Sequence, residues 1–180
     1  MITTRNKELG IIRIDGSMTI SDPCYEPGIW CALQMEVVPG WYRCYAEYAD
    51  ISDWGRRITS LTAVREDYAD NIDALDWDIA GDAGVDSGQM GIYDTEYFKD
   101  NQPDDDYDNP DSWYRQVCDL TCDLTYNEEE KHLDASIIDE RGCVSASGYG
   151  DGCYEVISYI NKDGDIVGAK VVFIEVYEEE

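Results

Sequence analysis

In the stretch WYRCYAEYA, Trp41, Arg43, Tyr45 and Glu47 alternate with Tyr42, Cys44, Ala46 and Tyr48, and a repeat of two is the pattern of a half-buried strand. LGIIRI (9–14), SMTISD (17–22) and RRITSLTAV (56–64) predict three more strands in the N-terminal third. SDPCYEPG, with two prolines and a glycine, predicts a turn-rich connection. At the other end GCVSASG, CYEVISYI and IVGAKVVFIEVY predict three strands, the last two joined by NKDGD with Gly164 available for positive φ.

The middle reads differently. In NPDSWYRQVCDLTCDL, Trp113, Val117, Leu120 and Leu124 recur at helical spacing, so the stretch predicts an amphipathic helix capped by Asn109, with Pro110 and Asp111 in its first turn. GDAGVDSGQMGIYD spaces Gly81, Gly84, Gly88 and Gly91 as tight turns or bulges between short strands. NEEEKHLDASIIDE fits either a helix capped by Asn127 or a loop leading into a strand. The expectation is one α+β domain over residues 1–180, mostly antiparallel sheet with one clear central helix and acidic loops. No internal repeat or flexible linker divides it.

Composition changes the picture at one point, the charge. Forty acidic residues against thirteen basic ones give a net charge of −27, yet the chain is 43% hydrophobic with 14 Tyr and 5 Trp, which argues against disorder. Residues 1–65 are nearly neutral at −1, residues 66–139 carry −20, and residues 140–180 carry −6. No basic residue lies between Arg65 and Lys99. The middle carboxylates therefore face water or a cationic partner, and their charge matches that of about ten base pairs of duplex DNA. Seven cysteines at irregular spacing cannot all pair within the chain. With no export signal and no long apolar run, the expectation is a cytoplasmic protein with reduced thiols, away from membranes.

Cys118 and Cys122 share a helical face and, with His132, form three candidate zinc ligands, although no fourth has the usual spacing. Asp104, Asp106 and Asp108 imitate the first ligands of a calcium loop, but Asn109 and Arg115 stand where it needs Gly and Glu. Asp82, Asp86 and Asp94 are a candidate cluster for a catalytic metal such as magnesium; equally, they fill turn positions beside the glycines. One histidine and no G-x-S-x-G leave a nucleophilic triad without its parts, and SASGYGDG reads as tight turning. No cofactor is implied.

The stretch DNQPDDDYDNPDSWY, residues 100–114, sets six aspartates among two tyrosines and a tryptophan. Such a surface suits a basic, nucleic-acid-binding protein: carboxylates pair with arginines that otherwise hold phosphate, and aromatics supply anchors. The candidate partner-binding residues are Asp104, Asp105, Asp106, Tyr107, Asp108, Asp111, Trp113, Tyr114, Glu128, Glu129 and Glu130. A merely solvated acidic face is the alternative. Direct DNA binding is disfavoured by net charge, with Arg43, Arg56, Arg57 and Arg65 as its local exceptions.

ISDPCY (20–25), GVDSGQMGIYD (84–94) and SASGYGDGCYEV (145–156), in this order and spacing, resemble a family of small acidic proteins from bacterial and phage genomes. Within that set, the length, the acidity and the SDPCY region resemble anti-CRISPR proteins that inhibit type II-A Cas9. The resemblance implies a non-catalytic inhibitor whose partner is the guide-RNA-loaded Cas9 nuclease, which holds DNA in positively charged channels.

Overall fold

Met18 and Ile20 point to one side of the strand Ser17–Ser21 and are fully buried, while Thr19 points to the other and is buried there as well. A strand covered on both faces needs a layer above and a layer below. The computed structural model, which describes residues 2–29, 31–101, 108–122 and 134–176, supplies both.

One sheet has six strands in the order β1 (Thr4–Ile14), β4 (Gly40–Asp50), β5 (Arg56–Arg65), β11 (Ile166–Val172), β10 (Gly152–Ile160) and β6 (Asp76–Val85). The other has five, ordered β3 (Leu33–Glu36), β2 (Ser17–Ser21), β7 (Gln89–Asp94), β9 (Gly142–Ala146) and β8 (Ala135–Ile138). All the recorded strand pairings are antiparallel. The sheets face each other across Ile12, Ile14, Tyr42, Leu61, Val156 and Val171 from the first and Met18, Ile20, Met90, Ile92 and Cys143 from the second. Each such side chain contributes about 1.5–3 kcal/mol on burial, an upper-range value for an extended reference chain.

The second layer lies on the far face of the five-stranded sheet. There α1 (Thr95–Asp100) and α2 (Trp113–Thr121) cover Tyr93, Ile138 and Val144 with Phe98, Trp113 and Val117. Tyr93 lies flat over the strands, stacked on Phe98 at 4.8 Å between centroids. Only glycine leaves room for it: a Cβ at Gly91 would overlap the ring, and one at Gly142 would sit 2.6 Å from its Cδ1. On the outer face of the six-stranded sheet, a kinked 3-10 segment, Glu66–Ala74, crosses β4 and β5.

This arrangement corrects the expected α+β fold with a central helix. Among the described residues the protein is a two-sheet antiparallel structure whose helices are short. Residues 81–94, expected as tight turns or bulges between short strands, hold the end of the ten-residue strand β6 and the whole of β7. The helix starts later than its sequence predicts. Asn109 Oδ1 accepts the Asp111 N–H at 3.0 Å in a local turn, and Ser112 Oγ takes over the capping by accepting the Arg115 N–H at 3.1 Å. Asp111 therefore precedes the cap, outside the first helical turn. The hairpin at NKDGD forms as expected, with Gly164 at φ 86°. In the stretch left open between helix and strand, residues 135–138 are β8, whereas 127–133 lie outside the described residues.

Candidate functional site

The three sequence stretches that carry the family resemblance meet at the turn between β6 and β7. β2 pairs with β7 through Ile20 and Ile92, and β7 pairs with β9 through Gln89 and Ala146. Asp22, just past β2, is fully buried. Its Oδ1 accepts from the Cys24 N–H and Ser87 Oγ, both at 2.7 Å, and its Oδ2 from the N–H groups of Asp86 and Ser87, both at 2.8 Å. The Ser147 N–H donates to Gly88 O at 3.0 Å from the third stretch. Four donors fill the carboxylate, so it holds the turn as a structural pin.

Beside this pin three thiols gather. The Tyr114 hydroxyl donates to Gln89 Oε1 at 3.1 Å and lies within hydrogen-bonding reach of the Cys24 and Cys118 thiols. Gln89 Nε2 donates to Thr121 Oγ1 at 2.6 Å and approaches the sulfurs of Cys118 and Cys122 at 3.6 and 3.8 Å. Burial pushes the Cys24 thiol above its ordinary value, against a smaller opposing effect of the Tyr114 hydrogen bond. Cys118 and Cys122 do share a face, as their spacing predicts, and that face is turned to a glutamine amide. His132, their proposed companion, lies outside the described residues, and among those residues no three His, Cys, Asp or Glu are placed to hold a metal ion.

The aspartates proposed for a catalytic metal do not converge. Asp82 is exposed on β6 opposite Glu155, and Asp86 sits in the turn after that strand. Asp94 closes the far end of β7, where it is 2% exposed. There Asp94 Oδ1 accepts from Arg141 Nη2 at 2.8 Å and caps α1 through the Tyr97 N–H, while Oδ2 accepts the Asp15 N–H at 2.8 Å. Of the calcium-like run, Asp104 and Asp106 lie outside the described residues.

Of the partner-binding candidates, Asp104, Asp105, Asp106, Tyr107, Glu128, Glu129 and Glu130 lie outside the described residues. Asp108 and Asp111 are exposed ahead of α2. Trp113 is a core group: it is 7% exposed, its Nε1 donates to the Tyr97 hydroxyl at 2.7 Å, and its ring meets Tyr93 and Phe98. Tyr114 is half-buried over Gln89.

The structure displays an acidic and aromatic surface elsewhere, one that the sequence reading passed over. Glu66, Asp67, Asp70, Asp73, Asp76, Asp78 and Asp82 are all exposed along the 3-10 segment and β6. Arg43 pairs with Glu66 and Asp70 at 3.4 and 3.0 Å, and Arg65 pairs with Asp67 at 3.1 Å. Asp73, Asp76, Asp78 and Asp82 make no ion pair among the described residues. Trp77 and Ile79, 63% and 56% exposed, stand opposite Tyr159 and Ile157 of β10. Alternation of Asp76, Trp77, Asp78 and Ile79 was the available signal.

No helix among the described residues is long and apolar enough to cross a membrane. Comparison of the chain with family models, with curated proteins and with solved structures returns no match.

Proposed function

We propose that this protein is a non-catalytic acidic binder that occupies a basic, nucleic-acid-holding surface of a partner protein. The family resemblance names that partner as the guide-RNA-loaded Cas9 nuclease and the impaired step as target DNA engagement or cleavage. A site of action in the cytoplasm of a bacterial host cell belongs to the same reading.

The observation that supports it is the run of exposed carboxylates from Glu66 to Asp82, four of them without an ion-pair partner among the described residues, laid beside two exposed apolar side chains. Carboxylates held on a folded surface present cations with fixed negative charge, as a phosphate backbone does, while Trp77 and Ile79 offer apolar contact that nucleic acid lacks at its rim. Direct DNA binding by this chain draws no support from its arginines. Arg43 and Arg65 are engaged with acidic residues, and Arg56 and Arg57 lie over Tyr48 and Trp54.

The test is binding and cleavage of target DNA by purified Cas9 and guide RNA, titrated with this protein at about 0.1 M and about 0.5 M salt. Inhibition that weakens at the higher salt is expected. Full nuclease activity with no complex at either salt removes this partner. Asp-to-Asn replacement across Asp104, Asp105, Asp106 and Asp108 is expected to weaken inhibition while leaving the thermal melt in place; unchanged potency excludes that stretch from the contact.

A further inference from the structure

β6 is the outermost strand of the six-stranded sheet, with β10 on one edge and no strand on the other among the described residues. Its two halves differ. Ala83, Gly84 and Val85 are buried, and the Gly84 N–H donates to Cys31 O at 2.9 Å, so this half is covered. Residues 76–80 are exposed at every position. A bulge separates the halves, because the register with β10 slips between Ile79 and Gly81.

Five extended residues offer about 17 Å of strand edge. Val156 of β10 points into the core, so Ile157 and Tyr159, with Ile79 and Trp77 opposite them, form an apolar strip on the outer face. Asp76 and Asp78 project from the alternate side of the same strand, while Asp82, opposite Glu155, and Asp73, close to Tyr159, flank the apolar strip on its own side. Asp78 Oδ1 also holds the Ile79 N–H at 2.8 Å, a local contact of the kind that blunts an edge.

An open edge bearing apolar side chains is a template for a further strand, and here charge selects which strand can come. A second copy of this chain would set Asp76 and Asp78 against the same aspartates, and like charges opposed across strands repel. A segment alternating lysine or arginine with apolar side chains meets every feature at once. We propose that Asp76–Ala80 is a docking edge for an extended, Lys/Arg-rich segment of a partner protein. In it Trp77 and Ile79 are the apolar anchors, and Asp76 and Asp78 select for positive charge. This inference rests on the acidic-binder reading above and adds the place and the manner of contact.

The experiment uses fluorescence anisotropy with a labelled seven-residue peptide alternating Arg and Val, a copy N-methylated at alternate amides, and a copy with Glu in place of Arg. The wild-type protein is expected to bind the first alone. The double variant W77S/I79S, whose exposed positions leave the core intact, should bind it roughly tenfold more weakly or worse. D76K/D78K should reverse the preference toward the Glu peptide. Binding of the N-methylated peptide as tightly as its parent, unchanged affinity in W77S/I79S, or no binding of the basic peptide by the wild type overturns the proposal. The same variants are run against guide-RNA-loaded Cas9. Wild-type and W77S/I79S binding that nuclease equally well overturns the edge and leaves the acidic-binder reading standing. Peptide binding without nuclease binding supports the edge and removes the nuclease.

Discussion

Asp22 and Ser87 stand 65 positions apart and are joined twice, Oδ1 to the serine hydroxyl at 2.7 Å and Oδ2 to its backbone N–H at 2.8 Å. With Cys24 and Asp86 as further donors, this buried carboxylate ties the end of β2 to the crossover between the two sheets. Asp22→Asn keeps the shape but turns one acceptor into a donor, stranding N–H groups that were satisfied. The expected loss is about 2–4 kcal/mol in urea unfolding. A loss under about 0.5 kcal/mol would show that the turn holds itself.

Tyr93 gives a prediction of opposite sign. Its hydroxyl is buried with no hydrogen-bond partner among the described residues, so Tyr93→Phe is expected to be neutral or stabilising by about 1–2 kcal/mol. Gly91→Ala pushes a methyl into the same ring and is expected to cost about 2–3 kcal/mol. Thermal melts of the two variants check both signs.

The cysteines divide by access. Cys31, Cys44 and Cys143 are buried, whereas Cys122 and Cys153 are exposed, and Cys24 is exposed at the surface with its thiol partly covered. Because burial holds the Cys24 thiol above its ordinary value, its thiolate fraction at pH 8 is lowered. Iodoacetamide should label Cys122 and Cys153 first, Cys24 more slowly with a rate still rising above about pH 9, and Cys31, Cys44 and Cys143 only on unfolding. Peptide mapping by mass spectrometry reads the order.

Acid should loosen one contact just past the end of β1. The Arg13 hydrogen bond to Asp15, 2.8 Å long, holds its carboxyl below the usual value, aided by Arg141 and opposed by burial. The folded value lies below the unfolded one, so this contribution is present above about pH 4 and is lost as pH falls through the lowered value. The Asp15 side chain is 52% exposed, so the contribution is under about 1 kcal/mol. Asp15→Asn should lose that amount at pH 7 and match the wild type at pH 2, as urea titrations at the two values would show.

Strands at both ends of the chain were legible because one face of each meets the core, as Tyr42, Cys44 and Ala46 do in β4. β6 was missed although Asp76 to Ile79 alternate, because aspartate is depleted in strands and no local residue announces the partner strand β10. Neither the six-residue α1 nor the four-residue β3 is long enough to show a period. α2 was legible through Trp113 and Val117, and the same periodicity already set Trp113 on the core-facing stripe, where it is unavailable as an anchor. The acidic weight of the middle was plain in the sequence. Which carboxylates flank apolar side chains depends on register across distant strands, and composition carries no register.

The bulge in β6 divides labour along a single strand. Beyond it, Ala83 to Val85 are locked into the sandwich and fix how the strand is threaded; before it, Asp76 to Ile79 keep their pairing with β10 but leave their side chains exposed. Substitutions in the outer half can accumulate without disturbing the threading. The outer half can change its surface chemistry while the fold underneath stays the same.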